Sequence, residues 1–485
     1  MVEHSLFESQ PPKKSRTFLP KNTLNSVKVS LYRCLSLSVI LLFQILVLNF
    51  FLGATSNSVS IHTRIVQEKP KILPLPSLQN EECQSGKVYV YDLPVMFNKE
   101  LIDNCQDLDP WHSRCNAVSN YGFGPITAGL SAGMPENLAP AWYWTDMFAG
   151  EIIYHSRMMK HKCRTTEPEL ATAFYIPFYA GLAVAKYLFT NYTVKERDWH
   201  SVMLLKWLQD QPYWQISNGS DHFIMLGRMT WDFRRSKNQD WGSSFIYMPL
   251  MKQILRLCVE RNPWDHLEIS VPYPTGFHPK SKSDLDQWLN FVQTRNRTNL
   301  FTFVGGKRKV KSDFRSLLST HCYNESDSCH IVDCSGTRCY DGTWEILEAF
   351  LDSDFCLQPR GDSHTRKSTF DCMLAGSIPV FFWKRSIYNQ YQWFLTDEPE
   401  NFSVFIDRRD VRSGVSIKKV LQGYDRERIR RMRQKVVEFI PRFVYNYIGS
   451  DEMGNTEDAF DLAIDGVLKR FKEEKRYKNA EFQEE

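Results

Sequence analysis

Most of this 485-residue chain lacks net charge. The formal charge of +4 arises in residues 1–33, and the rest of the chain carries 54 basic and 54 acidic side chains. A neutral body gives no electrostatic basis for binding nucleic acid. The chain also lacks an internal repeat, and it lacks the nucleophile-elbow, zincin and P-loop motifs. The sequence therefore shows no sign of the hydrolase classes that those motifs mark.

The composition excludes a disordered or collagen-like chain, since 42% of the residues are hydrophobic and 24% are charged. The length suits two or three domains. Aromatic residues reach 14%. This surplus fits a core rich in rings, or a groove that stacks on sugars or bases.

Residues 35–54 contain no charged side chain. As a helix, such a run covers about 30 Å, the thickness of a bilayer core. The basic residues that precede it favour a cytosolic N-terminus. A cleaved signal peptide is the alternative, but it normally has a shorter basic region and a shorter apolar run. We predict a type II membrane protein with a cytosolic tail (1–34), a transmembrane signal anchor (35–54) and a luminal stem (55–85).

Two features beyond the anchor agree with a luminal location. Eleven of the twelve cysteines follow it, so at least one thiol stays unpaired or pairs with another chain. The spacing of Cys322, Cys329, Cys334 and Cys339 is unlike the usual zinc-site pairs, and in an oxidising lumen disulfides are the expected outcome. Glycosylation sequons also occur only beyond the anchor, at Asn191, Asn218, Asn296, Asn324 and Asn401.

Short strand patterns alternate with helical patterns over some 300 residues, which predicts an α/β fold with largely parallel sheets. We expect an N-terminal lobe over 86–290, a C-terminal lobe with closing helices over 291–471, and a frayed tail over 472–485. The polar stretch Asp284–Thr298 is the predicted interdomain region. The predicted strands are Lys87–Asp92, Ala171–Pro177, His222–Gly227, Glu268–Val271, Leu300–Val304, Phe355–Gln358, Ile378–Phe382 and Ser403–Ile406. The predicted helices are Trp142–Met159, Lys195–Asp210, Phe245–Val259, Arg426–Phe443 and Glu457–Phe471.

One segment, 355–380, reads as strand, turn, helix and strand. Pro359 and Gly361 end the strand, and Asp362 or Ser363 is placed to cap a helix that runs to about Ala375. A helix N-terminus beside Arg360, Arg366 and Lys367 forms a diphosphate site without a metal. Lys367 and Asp371 share one helix face, where a carboxylate suits ribose hydroxyls. The alternative is an ordinary helix with a solvated, charged face.

This segment, with P-R-G-D-S-x-T-R-K-S-x-F-D at 359–371, resembles the exostosin-like family of glycosyltransferases. Further blocks are similar to its plant xyloglucan branch, so that the resemblance extends over about 85–470. They are V-Y-V-Y-D-L-P (88–94), A-T-A-F-Y-I-P-F-Y-A-G-L (171–182), D-H-F-I-M-L-G-R-M-T-W-D-F-R-R (221–235), P-Y-P-T-G-F-H-P (272–279) and F-T-F-V-G-G (301–306). Within that branch, the chain is most similar to members that galactosylate the second xylosyl unit.

The resemblance implies a GT-B fold, in which two Rossmann-like lobes face a cleft and the C-terminal lobe holds the nucleotide sugar. It implies an inverting transfer of galactose from UDP-galactose to xyloglucan xylose at the Golgi membrane, without metal or other cofactor. Alternatives are a UDP-arabinose or UDP-galacturonic acid donor, another wall polymer, or a catalytically silent partner protein. Complexes with other wall-polysaccharide transferases are a further expectation.

Carried onto this chain, the resemblance assigns donor binding to Arg360, Asp362, Ser363, Arg366, Lys367, Ser368 and Asp371. The second predicted donor-binding element is a Gly-rich turn followed by two cations, made up of Gly305, Gly306, Lys307 and Arg308. An exposed loop explains this pattern equally well. Inversion requires a general base. We expect Asp232 to be this base, and His278 is the second choice. The alternative for Asp232 is an ion pair with Arg234 or Arg235, and the alternative for His278 is a structural role.

Two other patterns are weaker. Asp352-Ser-Asp354 has the form of a manganese motif, but it precedes a strand instead of ending one, so we reject it. Four tryptophans have the chemistry to stack on a glucan chain, although core packing is the more common role of Trp. They are Trp142, Trp144, Trp231 and Trp241.

Overall fold

The computed structural model describes residues 44, 83–127, 133–189, 191–306, 313–335, 339, 344–449, 453 and 456–484. Among these residues, no helix has both the length and the apolar character needed to cross a membrane. The predicted tail, anchor and stem lie outside them, except for Gln44 and residues 83–85.

The first sheet has six parallel strands in the order β2-β1-β3-β4-β5-β6. Every residue of β3, β4 and β5 is buried, which is typical of parallel strands covered on both faces. The strands are β1 (Val88–Val90), β2 (Arg164–Thr165), β3 (Ala173–Ile176), β4 (His222–Leu226), β5 (Leu255–Cys258) and β6 (Glu268–Ser270). The accompanying helices are α1 (Lys99–Asp103), α2 (Cys115–Val118), α3 (Gly150–Met158), α4 (Ala180–Ala185), α5 (Val194–Gln209) and α6 (Pro212–Ser217).

The second sheet has five parallel strands in the order β11-β10-β9-β7-β8. Together the two sheets confirm the predicted α/β class. The strands are β7 (Asn299–Gly305), β8 (Cys329–Asp333), β9 (Ser353–Gln358), β10 (Ile378–Phe381) and β11 (Val404–Phe405). The helices of this part are α7 (Lys282–Thr294), α8 (Phe314–Asn324), α9 (Trp344–Leu351), α10 (Lys367–Leu374), α11 (Arg408–Arg412), α12 (Ile417–Gln422), α13 (Arg426–Phe443) and α14 (Ala459–Glu484).

The described residues between 83 and 484 belong to one compact unit. In sequence, all strands of the first sheet precede residue 290 and all strands of the second sheet follow it. Helix α7 contains residue 290. Gln390 of the second half binds both the N–H and the carbonyl of Arg261, at 3.0 and 2.9 Å. The Tyr445 hydroxyl donates to the Pro272 carbonyl at 2.8 Å. These buried hydrogen bonds join the two halves.

The predicted helix Phe245–Val259 is wrong. Two short 3-10 turns on either side of Met248, the second beginning at Pro249, lead into β5. The misleading residue is Arg256, which looks like the polar face of a helix. In the structure its guanidinium is buried and donates to Asp265 at 2.8 Å and to the Met251 carbonyl at 2.8 Å. A strand that is buried on both faces tolerates this charge because Asp265 and two backbone carbonyls, those of Met251 and Ile254, bind its two terminal nitrogens.

Two other predicted helices begin later than expected. The run Trp142–Met159 becomes helical only at Gly150, because the preceding residues pair with another loop; the Tyr143 N–H donates to the Gly276 carbonyl at 2.8 Å. Helix α10 begins at Lys367 instead of next to Ser363. The backbone of His364 is instead bound by Glu260 and by the Ser386 hydroxyl.

The tail 472–485 was predicted to be frayed, but α14 continues through Glu484. Arg470 pairs with Glu474 one turn later at 2.9 Å, and Lys472 donates to the Gln84 carbonyl. Such pairs at i and i+4 support helix beyond the packed part.

The described part of the chain contains five disulfides, and Cys258 within it is a free, buried thiol. The predicted disulfides within the run Cys322–Cys339 are confirmed, since Cys322 pairs with Cys329 and Cys334 with Cys339. The remaining pairs are Cys83–Cys163, Cys105–Cys115 and Cys356–Cys372. The odd thiol expected from the cysteine count is therefore Cys258.

Candidate active site

A cavity of about 740 Å³ lies at the carboxyl ends of both sheets. Met229 follows β4 and Glu260 follows β5, while Gly306, Cys334 and Gly361 follow β7, β8 and β9. Ligands of parallel α/β sheets bind at this edge. The cavity is therefore the candidate active site.

Most of the predicted donor-binding residues line this cavity: Gly305, Gly306, Asp362, Ser363, Arg366, Lys367, Ser368 and Asp371. Arg360 does not. Its guanidinium lies over the Trp383 ring at 5.6 Å, and its side chain is exposed. Lys307 and Arg308 lie outside the described residues.

Helix α10 presents its N-terminal end to the cavity. No side chain caps it, and its flanking residue Arg366 and first residues Lys367 and Ser368 line the wall. Lys367 pairs with Asp371 at 2.7 and 2.9 Å, and Ser368 donates to Gln358 at 2.8 Å. Burial raises the pKa of Asp371, while Lys367 acts in the opposite direction. An uncapped helix start beside two cations attracts an anion such as a diphosphate.

Gly306 lets two strand ends approach each other at the cavity wall. A Cβ atom at this position would lie 2.9 Å from the Cys334 carbonyl oxygen. Cys334 belongs to the Cys334–Cys339 disulfide, and both cysteines line the cavity. The Gly-Gly turn therefore has a packing role that is independent of phosphate.

Glu260 is a wall residue that sequence reasoning missed. It is 3% exposed, accepts from the Tyr273 hydroxyl at 2.6 Å, and accepts from the His364 N–H at 2.8 Å. Burial raises the pKa of Glu260, and its hydrogen bonds act in the opposite direction. Glu260 thus holds the loop 362–365, where the sequence places donor-binding residues, from the other half of the molecule. A correct strand prediction for β5 would have pointed to it, since it lies just beyond that strand.

Asp146 and Arg114 are further wall residues absent from the sequence predictions. Arg114 Nη2 lies 2.5 Å from Asp146 Oδ2, and the Phe148 N–H donates to Asp146 Oδ1 at 2.8 Å. Asp146 is partly exposed. It brings a carboxylate to the cavity wall.

Asp232, the first predicted base, does not line the cavity. It is fully buried, and its two oxygens accept from Arg228 Nε and Trp241 Nε1, each at 2.7 Å. The alternative pairing with Arg234 or Arg235 is not observed either, since these bind Asp265 and Asp198. The structure therefore places Asp232 apart from the cavity in which we expected it.

His278 is also outside the cavity wall and fully buried. Nδ1 donates to the Tyr445 carbonyl at 2.7 Å, and Nε2 lies 2.8 Å from the Thr145 hydroxyl. Burial lowers the pKa of His278 to about 3. With both nitrogens occupied, this neutral imidazole fits the structural alternative rather than the role of base.

The carboxylates of Asp352-Ser-Asp354 lie at the amino end of β9, away from the cavity. Asp352 binds Arg295 at 2.7 Å, and Asp354 binds Arg433. Within the described ranges, no group of three or more His, Cys, Asp or Glu residues is placed to hold a metal.

The predicted tryptophans divide into two groups. Trp142 and Trp144 line the cavity. Trp231 and Trp241 lie outside its lining and pack on each other at 5.7 Å. All five sequon asparagines are exposed.

Comparison with known proteins identifies the family. The model of the exostosin GT47 domain matches residues 82–421. The Arabidopsis thaliana xyloglucan galactosyltransferase XLT2 is 55% identical over 82% of this chain and 77% of the relative. The xyloglucan galactosyltransferase MUR3 of the same plant is 36% identical over 86% and 68%. Its xyloglucan-specific galacturonosyltransferase 1 is 38% identical over 80% and 57%.

Among solved structures, Staphylococcus aureus TarM in complex with UDP matches at 9% identity, with a TM-score of 0.28 over 56% of this chain and 59% of TarM. A likeness of this size carries no structural argument. The family model and the plant relatives together show that the chain belongs to the exostosin GT47 family of glycosyltransferases.

Proposed function

We propose that the chain transfers galactose from UDP-galactose to a side-chain xylose of xyloglucan, with inversion, between two lobes of the GT-B type. The assignment of this donor and this acceptor rests on one observation, the 55% identity to a xyloglucan galactosyltransferase over 82% of the chain. The 38% identity to a galacturonosyltransferase makes UDP-galacturonic acid the second candidate donor.

The donor diphosphate binds at the start of α10. Arg366 and Lys367 neutralise the charge that develops on the leaving UDP, and Glu260 keeps the adjoining loop in place. Asp371 is available to the ribose hydroxyls. These residues stabilise the departing diphosphate with side chains and backbone N–H groups, so we expect transfer without a metal.

Asp146 is the proposed general base. Of the acidic wall residues that precede β7, Glu260 is committed to the loop 362–365, whereas Asp146 is partly exposed on the cavity wall. Inversion needs a carboxylate on the side of the sugar away from the leaving group. Arg114 and the Phe148 N–H hold the Asp146 carboxylate in one orientation.

We further propose that the chain is a Golgi type II membrane protein with its catalytic part in the lumen. Five disulfides and five exposed sequon asparagines support an oxidising, glycosylating compartment. The predicted anchor and its charge asymmetry supply the orientation.

The test uses the full-length chain, purified in detergent with EDTA present. It is incubated with xylosylated xyloglucan oligosaccharide and, separately, UDP-galactose, UDP-arabinose or UDP-galacturonic acid. A hexose increment on one defined xylose is expected. A pentose or uronic acid increment would replace the donor, and no transfer from any donor would overturn the proposal.

The same assay tests the base. Asp146→Asn is expected to lower kcat by about 100-fold or more, since general base catalysis contributes at least that much. Asp286→Asn, an exposed residue far along the chain on α7, is the matched control. Activity of the Asp146 variant within about tenfold of wild type would exclude this role.

A further inference from the structure

Four aromatic side chains form a continuous row on the surface outside the cavity. Ring centroids are 5.0 Å apart between Trp111 and Phe189, 5.3 Å between Phe189 and Trp241, and 5.7 Å between Trp241 and Trp231. Trp111 is 64% exposed, Phe189 43% and Trp241 37%. We call these four residues the aromatic row. Exposed rings in such number mark an interaction site.

The row is assembled from three separate segments, of which the two that carry Trp111 and Trp241 are held in place by hydrogen bonds. Trp111 lies near the end of the loop closed by the Cys105–Cys115 disulfide, and Asp109 accepts its N–H at 2.9 Å. Trp241 is fixed by its hydrogen bond to Asp232. A rigid surface loses little conformational entropy when it binds a ligand.

A tight turn supports the middle of the row. Gly242 has a φ of +78°, and a Cβ there would lie 2.1 Å from the Asp232 carbonyl oxygen. The Ser243 N–H donates to that same oxygen at 2.8 Å. The loop that carries Trp231 and Trp241 is therefore built around buried Asp232, which explains why this carboxylate is absent from the cavity.

Both ends of the row are close in sequence to residues of the cavity wall. Trp111 precedes the wall residue Arg114 by three positions, and Trp231 follows the wall residue Met229 by two. Arg228 pairs with Asp232 and also lies over the wall residue Phe148 at 4.1 Å. A polymer that enters the cavity with one sugar can thus continue onto the row.

The size of the cavity requires such a continuation. About 740 Å³ is the volume of a small-ligand site. It suits a nucleotide sugar and the accepting sugar unit, and the remaining polysaccharide must lie outside. An uncharged glucan offers C–H faces and hydroxyls, and the apolar faces of aromatic rings pack on such C–H faces.

We propose that the aromatic row binds the β-1,4-linked glucan backbone of the polymeric acceptor, next to the cavity that receives the side-chain xylose. This inference rests on the proposed function. It makes the row a determinant of polymer affinity and gives it no part in the chemical step.

The test compares a polymeric xyloglucan acceptor with a single-repeat oligosaccharide in the full-length chain. Trp111→Ala and Phe189→Ala remove exposed rings, and Trp264→Ala removes a 70% exposed tryptophan elsewhere as the matched control. Each row variant is expected to raise the ratio of the polymer KM to the oligosaccharide KM about tenfold, the effect of losing one buried aromatic face. The control is expected to leave that ratio unchanged.

A second measurement separates this inference from the proposed function. Retardation of the chain in a native gel containing xyloglucan, without any donor, reports polymer binding even if no sugar is transferred. Retardation that is weakened by Trp111→Ala but not by Trp264→Ala supports the row. Equal KM ratios and equal retardation in wild type and both row variants would overturn it.

Other occupants of the row predict different results. If a second copy of the chain covers it, Trp111→Ala converts a dimer to a monomer in sedimentation without changing the KM ratio. If a glycan on Asn191 covers it, Asn191→Gln strengthens retardation whereas Trp111→Ala has no effect. Either result would overturn the proposal.

Discussion

At the scale of single residues, burial decides which polar groups take part in chemistry. Asp232 and His278 have the residue types of a general base, and both are enclosed with their polar atoms occupied. Asp146 and Glu260 reach the cavity instead. Nothing in the local sequence distinguishes these two pairs, because burial depends on segments that are distant in the chain.

The enclosure of His278 predicts a pH dependence of stability. Its folded pKa of about 3 lies below the unfolded value of about 6.5, so the unfolded chain binds the proton first. Stability is therefore lost as pH falls from about 6.5 towards 3, at about 1.4 kcal/mol per pH unit for this group. His278→Gln, whose amide can satisfy both partners, should flatten this slope in urea unfolding between pH 7 and pH 4.

Exposed His266 supplies the control for this experiment, as His266→Gln. Burial also lowers the pKa values of His155, His161 and His200 to about 4. They contribute slopes of the same sign, so the difference between variants is the informative quantity. Identical slopes for wild type and His278→Gln would show that this histidine is not the sensor.

At the scale of elements, strand and helix ends were less predictable than the elements themselves. The sequence predicted β4, β9 and β10 almost to the residue, since their apolar runs are short and bounded by turn residues. It misassigned β5 because buried Arg256 mimics a polar helix face. It missed β2, which is two residues long and gains its identity only by pairing with β1.

The turn at Gly242 gives a prediction at this scale. Gly242→Ala should destabilise the protein by well over the ~1–2 kcal/mol that a left-handed conformation alone costs, because its Cβ would collide with the Asp232 carbonyl. Gly414→Ala is the matched control, with a φ of +101° and no atom within 4 Å of the new Cβ. Chemical denaturation of both variants measures the difference. Equal losses would mean that the turn relaxes without cost.

At the scale of the whole molecule, the chain closes on itself. Helix α14 follows the second sheet but returns to the first half, where Asp458 accepts from Arg157 at 2.5 Å and from the Asn446 N–H at 2.6 Å. Ser85 also donates to Asp465 of α14 at 2.6 Å. The last helix therefore ties together segments that are nearly 400 residues apart.

Asp458 should be decisive for this closure. Asp458→Ala leaves the buried Arg157 guanidinium without its main partner, and removal of one member of a buried pair costs about 3–5 kcal/mol. Denaturant unfolding should show this loss. Asp286→Ala, which breaks the exposed pair with Lys282, should change the free energy of unfolding by less than about 1 kcal/mol. Similar values for both variants would argue against the role of α14 in closure.

The sequence by itself determined the α/β class, the turn and helix of the segment 355–380, and that the cysteines of the run Cys322–Cys339 form disulfides. These features depend on patterns or spacings within short stretches of chain, where neighbouring residues carry the information. Only the tertiary structure decided that Glu260 holds the loop 362–365, that Asp146 reaches the cavity wall, and that Trp111, Phe189, Trp241 and Trp231 form one row. Each of these features depends on segments that folding brings together. The local sequence of one segment does not show how deeply it is buried or which distant segment it contacts.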